Sequence, residues 1–170
     1  MNGRVTIKQA PLMGLRKKNH SPIVYDWARE QKNMSHIYYE LYYHIVWGTK
    51  NRMELITNDI EELLKNLVDK KVNKLGGQQL EFNCVTDHCH SLLKIPPQIS
   101  ISDFTGQIKG YSAHEINLLR GNKYLAWQQG FGIVSLSKKG VPFVRKYIQN
   151  QKQHHMNNSI INILEYIPVD

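Results

Sequence analysis

Ile60, Leu63, Leu64, Leu67, Val68, Val72 and Leu75 recur at helical spacing and stop at Gly76-Gly77. Directly afterwards Leu80, Phe82 and Cys84 alternate with Gln79, Glu81 and Asn83. A change of apolar period from 3.6 to 2 across a glycine pair predicts an amphipathic helix that feeds a half-buried strand. Asn58, followed three residues later by Glu61, supplies the start signal of that helix. The unit excludes an all-helical or all-strand chain.

The remaining elements arrange themselves around this pair. Ile37 to Trp47, rich in Tyr, Ile and Val, predicts a central strand ended by Gly48 and Thr49, and His88 to Ile95 returns as a neighbour of the 80–84 strand before Pro96-Pro97 stops it. Ser100 and Asp103 predict a capped helix to about Leu119, in which Gly106 and Gly110 would let it approach the sheet closely. Phe131 to Ser137 alternates weakly as a fourth strand, and Pro142 suits the first turn of a last helix reaching about His155. The order β-α-β-β-α-β with a C-terminal helix predicts an α+β, ferredoxin-like (RRM-like) antiparallel sheet. Its helices cover one face and leave the other for ligand. Core positions on the 88–95 strand would be Cys89, Ser91, Leu93 and Ile95, with the histidines on the uncovered face.

With 170 residues, 41% of them apolar, the chain suits one core rather than two full-sized domains. The formal charge of +8 favours a polyanionic partner such as nucleic acid or an anionic membrane surface. Most of the excess lies in residues 1–33, around Arg16-Lys17-Lys18, which read as a flexible basic extension, a start-site artefact or vector-derived sequence ahead of a domain over 34–170. Cys84 and Cys89 are the only cysteines and are expected as separate small core residues, with no disulfide framework. No signal-peptide core and no run of 18 apolar residues occurs, so no membrane association and a cytoplasmic location are expected.

Within this frame His88-Cys89-His90 carries the chemistry. On a strand, residues two apart share a face, so both imidazoles project together at a metal-ligand spacing. Tyr147 and Gln151, four apart on the last helix, would look the same way. Gln151 adds a neutral oxygen, making a site with open positions that suits Mg or Mn, although imidazole keeps zinc, cobalt and nickel open. A phenol with a pKa of about 10 is a poor nucleophile unless its phenolate is stabilised, and a divalent cation that also polarises a phosphate lowers the barrier from both sides. Read blandly, the histidines are structural, Tyr147 is a packing aromatic and the nearby lysines are a solvated helix face.

Six segments appear in a specific order: Tyr43-His44-Ile45-Val46-Trp47-Gly48-Thr49-Lys50-Asn51-Arg52, Asp87-His88-Cys89-His90, Ile95-Pro96-Pro97, Lys109-Gly110-Tyr111-Ser112, Trp127-Gln128-Gln129-Gly130-Phe131-Gly132 and Tyr147-Ile148-Gln149-Asn150-Gln151. Over about residues 35–158 the chain thereby resembles the single-tyrosine HUH transposases of small bacterial insertion sequences, related to REP-associated tyrosine transposases. The resemblance implies that His88, His90 and Gln151 hold the divalent metal and that Tyr147 cuts single-stranded DNA. The tyrosine would keep the 5′ phosphate and release a 3′ hydroxyl, so that a second strand can reseal the junction. It further implies recognition of DNA hairpins at element ends and a homodimer, in which the tyrosine helix of one subunit can serve the histidines of the other. Ser91 and Lys94 depart from the apolar or small residues usual in the family, which places Lys94 near the metal on this reading.

Nucleic-acid contacts are expected from Lys50, Arg52, Lys94, Lys109, Arg145, Lys146 and Lys152. Two alternatives stand beside strand transfer. One is a domesticated, non-catalytic module that binds single-stranded hairpins, stacking bases on Tyr38, Tyr42 and Trp47. The other is a metal-dependent nuclease that activates water, with Tyr147 only structural.

Overall fold

The computed structural model describes residues 37–168. The expectations for residues 1–33 lie outside the described residues. Four strands, β1 (Tyr42–Gly48), β2 (Gln78–Cys84), β3 (His88–Lys94) and β4 (Gly132–Leu136), form an antiparallel sheet in the order β2-β3-β1-β4. Helices α1 (Asn58–Lys74) and α2 (Ile101–Arg120) alternate with them, and α3 (Val141–Gln149), α4 (Gln151–Met156) and α5 (Asn162–Glu165) close the chain. This is the α+β, ferredoxin-like architecture expected, with β3 and β1 in the centre. Strand β1 is shorter than the 37–47 expectation, because the residues before Tyr42 make no ladder.

Helix α1 buries Ile60, Leu64, Val68 and Val72 from its predicted stripe. Its cap is Thr57 rather than Asn58, without a side-chain capping bond. Gly76 closes it at φ 76°, a left-handed conformation that glycine adopts without a Cβ penalty. Helix α2 starts as expected, with the Ser100 hydroxyl accepting from the Asp103 amide at 3.0 Å. Gly106 and Gly110 correct an expectation: a Cβ at either would meet nothing, so neither enables close approach to the sheet.

The pleat sorts β1 and β3 between two covered faces. Ile45, Trp47, Cys89 and Leu93 face the α1/α2 side, while His44, Val46, His88, His90 and Leu92 face the other. That second face was expected to be open to ligand. Instead Leu92 packs with Val144, Tyr147 and Ile148 of α3 and Leu164 of α5, and His155 of α4 lies against His88, so both histidines are buried. A short hairpin also sets Cys84 opposite Cys89, and the two form a disulfide with a Cα separation of 4.1 Å. This corrects the reading of two separate core thiols.

The C-terminal segment lies so close to β4 that a Cβ on Gly132 would overlap the Tyr166 carbonyl and sit 2.8 Å from Val46 Cγ1. Overpacking of this kind typically costs about 1–3 kcal/mol unless the backbone moves away. Gly132→Ala is therefore expected to lower stability by that amount and to loosen residues 161–168, read as a lower denaturation midpoint and faster digestion by carboxypeptidase.

Candidate active site

His88 and His90 leave the central strand β3 with their Nε2 atoms turned to one point, and each ring is held from behind. Asp87 Oδ1 lies 2.6 Å from His88 Nδ1, and Arg52 Nε binds the same carboxylate at 2.8 Å. Arg52 Nη2 also lies 3.2 Å from His88 Nδ1, but a ring nitrogen either donates or accepts, and the shorter carboxylate contact makes it the donor. His44 Nε2 meets His90 Nδ1 at 2.9 Å from the neighbouring strand, with the rings stacked. A partner behind each imidazole fixes ring orientation, the arrangement usual around metal-binding histidines.

Opposite them stands a group the sequence did not single out. Glu165 of α5 places Oε2 3.1 Å from His88 Nε2, 3.3 Å from His90 Nε2 and 3.3 Å from His155 Nε2. Its Oε1 accepts from the Tyr147 hydroxyl at 2.5 Å and from Gln151 Nε2 at 2.7 Å. One carboxylate thus touches the nucleophile candidate, all three metal-ligand candidates and His155. Gln151 Oε1 and His90 Nε2 are buried without a hydrogen-bond partner of good geometry. Buried polar atoms seldom remain so, and a cation would satisfy both.

Ionisation follows burial and these contacts. Burial pushes His90 down to about 4 and His44 to about 3, and Glu165 only partly offsets this. For His88, burial works the same way but hydrogen bonds to Asp87 and Glu165 outweigh it and raise the ring above its ordinary value. Burial would raise Glu165 and Asp87, yet bonds to the histidines hold both carboxyls low. Tyr147 is raised well above an ordinary phenol, first by burial and then by the Glu165 carboxylate. With Glu165 in place the phenol stays protonated.

Tyr147 and Gln151 reach this point from two helices rather than one. The expected single helix breaks at Asn150 (φ −98°, ψ 16°), between α3 and α4. Tyr147 stacks on His154 at 4.6 Å between centroids, and its hydroxyl accepts from the Ile161 amide.

The basic residues divide. Lys50 and Lys146 are exposed. Arg52 serves Asp87, Lys152 pairs with Glu61 at 2.5 Å, and Arg145 donates to the Leu80 carbonyl, fastening α3 to β2. Lys109 is buried, its ammonium donating to the carbonyls of Gln129 and Gly130, a structural role instead of an exposed contact. Lys94 sits over the Tyr39 ring at the far end of β3. Four residues from His90 along a strand is roughly 13 Å, so Lys94 is not beside the metal position as expected. Trp47, offered as a base-stacking surface, is buried edge-on to Trp127.

Glu165 and His155 were missed. His155 repeats the helical spacing once more beyond Gln151, a signal that was available. Glu165 lies on a four-residue helix whose docking no local pattern announces. Among the described residues no helix is long and apolar enough to cross a membrane.

Residues 37–151 match the family model described as transposase IS200 like. The ISDra2 transposase TnpA of Deinococcus radiodurans is 28% identical over 122 residues, covering 66% of this chain and 85% of that protein. The transposase for insertion sequence element IS200 of Salmonella typhimurium is 28% identical over 128 residues, covering 72% of this chain and 84% of its own. A solved structure of a putative transposase from Deinococcus radiodurans superposes with a TM-score of 0.56 at 24% identity, covering 69% of this chain and 95% of that one. A REP-associated tyrosine transposase bound to a REP hairpin gives 0.52 at 19% identity, covering 72% and 74%.

Proposed function

Since the chain belongs to the IS200-like transposase family, we propose that it cuts and rejoins single-stranded DNA through a covalent bond between Tyr147 and a 5′ phosphate. The observation that carries this reading is one anionic group, Glu165, shared between the Tyr147 hydroxyl and the inward nitrogens of His88 and His90. A scissile phosphate has the same charge sign and similar oxygen spacing, so it would be met by nucleophile and metal ligands together once Glu165 withdraws.

His88, His90 and Gln151 would hold the divalent cation, Mg or Mn, and His90 Nε2 and Gln151 Oε1, both buried without a well-formed hydrogen bond, fit that role. When bound, the cation polarises the phosphate and favours the phenolate. The chain's own residues do the rest. Asp87 and His44 keep both imidazoles aimed. Packing against Ile161 and His154 fixes the phenol ring. Tyr147 releases its phenolic proton to solvent as Oη forms a bond to phosphorus, the bond from phosphorus to the 3′ oxygen breaks, and that oxygen leaves as a hydroxyl after taking a proton from solvent. Reversal by another 3′ hydroxyl restores Tyr147 and joins a new junction without an external energy source.

The substrate would be single-stranded DNA with hairpins at element ends, because a duplex hides the backbone geometry that the tyrosine must reach. Exposed Lys50 and Lys146 would meet its phosphates. The test is to incubate the protein with flanking DNA as single strands and as duplex, with Mg or Mn, and look for a protein-linked species on a denaturing gel. An adduct with single strands alone is expected; none under any condition would sink the proposal.

Strand exchange needs two tyrosines, because each can hold only one DNA end, and a twofold homodimer would supply them. Here Tyr147 meets the histidines of its own chain, with ring centroids of Tyr147 and His90 6.4 Å apart. Mixing Tyr147→Phe subunits with His88→Ala/His90→Ala subunits tests for exchange. Recovered cleavage is expected if the helix also serves a partner subunit; inactivity in heterodimers confirmed by mass assigns each site to one chain.

A further inference from the structure

We propose that His88, His90, His155 and Glu165 form a second, closed metal site of the zinc class, distinct in ligand set from the open His88–His90–Gln151 site. The inference uses the same histidine pair as the strand-transfer reading but concerns a different state of the protein, in which the C-terminal helix completes the coordination sphere.

The four ligand atoms lie within 4.8 Å of one another. Glu165 Oε2 stands 3.1, 3.3 and 3.3 Å from the Nε2 atoms of His88, His90 and His155. A tetrahedral ion with bonds of about 2.0–2.1 Å has ligand-to-ligand edges of about 3.3–3.4 Å. The three edges that meet at the carboxylate therefore have the right length for tetrahedral zinc, and the histidine–histidine edges, all within 4.8 Å, would close to the same length around an ion.

Orientation agrees with distance. Asp87 and His44 occupy the rear nitrogens of His88 and His90, leaving Nε2 of each for the ion. Gln151 Nε2 lies 2.7 Å from His155 Nε2, and since the amide donates, that ring nitrogen is deprotonated; its single lone pair passes to the ion once the amide keeps only its bond to Glu165 Oε1. Glu165 Oε1 is committed to Tyr147 and Gln151, which leaves Oε2 as a single-oxygen ligand. His90 Nε2, fully buried and without a good hydrogen-bond partner, is the atom most in need of an ion.

The donor set sets the metal class. Three imidazoles and one carboxylate oxygen suit zinc, cobalt or nickel, whereas magnesium prefers an oxygen-rich octahedron that keeps several waters. Four protein ligands also leave no position for a phosphate oxygen, and Tyr147 is bonded to the same carboxylate. The zinc-filled state is therefore one in which DNA cannot reach the centre, and it requires the C-terminal helix to be docked.

Co2+ serves as the spectroscopic probe and Zn2+ as its competitor, both with the full chain and no DNA. One Co2+ per chain with the intense visible bands of four-coordinate cobalt, displaced by Zn2+, is expected. Glu165→Gln and His155→Asn should each abolish those bands. Each should also weaken Zn2+ binding by more than about 100-fold, beyond the range usual for losing an outer-shell partner. Gln151→Ala should retain the four-coordinate bands. A weak, six-coordinate spectrum from the unaltered chain overturns the proposal whatever the variants do, and so does undiminished Zn2+ affinity in both Glu165→Gln and His155→Asn. Because nothing is cleaved in this experiment, failure to form a DNA adduct and failure to form a closed metal site are separate results.

Discussion

Tyr147→Phe is expected to remove the DNA adduct completely while leaving the fold intact. The phenol ring is buried against His154 and faces the Leu92 and Val144 cluster, contacts that a phenylalanine keeps. Only the hydroxyl goes, and with it the bonds to Glu165 and from Ile161. Removing a covalent nucleophile leaves only binding and electrostatic assistance, so the rate of strand cleavage should fall on the order of 10³-fold or more. A denaturing gel on single-stranded flanking DNA reads the adduct, and a melting curve checks the fold. Cleavage at full rate without any adduct, in this variant, would identify water as the nucleophile and make the protein a metal-dependent nuclease.

His88→Ala and His90→Ala should be nearly as severe. Each deletes an inward nitrogen whose ring is already held from behind, so on the proposed mechanism the cation would lose a ligand and the phosphate its polarisation. Cleavage is expected to drop by about 10²- to 10³-fold, by analogy with the loss of other charge-stabilising groups. The hairpin binding proposed for the exposed basic side chains should persist in a gel-shift assay. Gln151→Ala should cost less, because a neutral amide contributes less to cation affinity and water can take its place. Wild-type cleavage by all three variants would remove the assigned centre from the reaction.

The parts of the fold that sequence made legible are those whose signals are local. Helix α1 announced itself by a stripe that ends at a left-handed Gly76, and α2 by Ser100 accepting from the Asp103 amide. The shared direction of His88 and His90 followed from strand periodicity alone. What stayed hidden depends on docking. Periodicity separated the two faces of β3 correctly, but it could not say that α3, α4 and α5 cover the histidine face. Lys109 looked like one more surface cation, but the carbonyls of Gln129 and Gly130, some twenty residues on, meet its charge in a buried setting. The Cys84–Cys89 pairing was within reach: two strands joined by so short a hairpin bring those positions into register. Glu165 was not, because its role depends on where a four-residue helix comes to rest.

That resting place gives the site two very different lifetimes. Strands β1 and β3 have neighbours on both sides, so their amides can open to solvent only when the sheet itself comes apart. Amides of this kind exchange at a rate set by global stability, about 5–15 kcal/mol in ordinary domains. Helix α5 is one turn long and is held by one buried apolar side chain, Leu164, and by the polar contacts of Glu165, while Ile163, and Tyr166 just after the helix, face solvent. Short, weakly anchored elements of that sort detach at a small fraction of the global cost. In an amide-exchange experiment the histidine strands should keep their protons for orders of magnitude longer than residues 162–166. The imidazoles are thus a standing feature of the molecule, whereas the carboxylate that meets them is an occupant with a residence time.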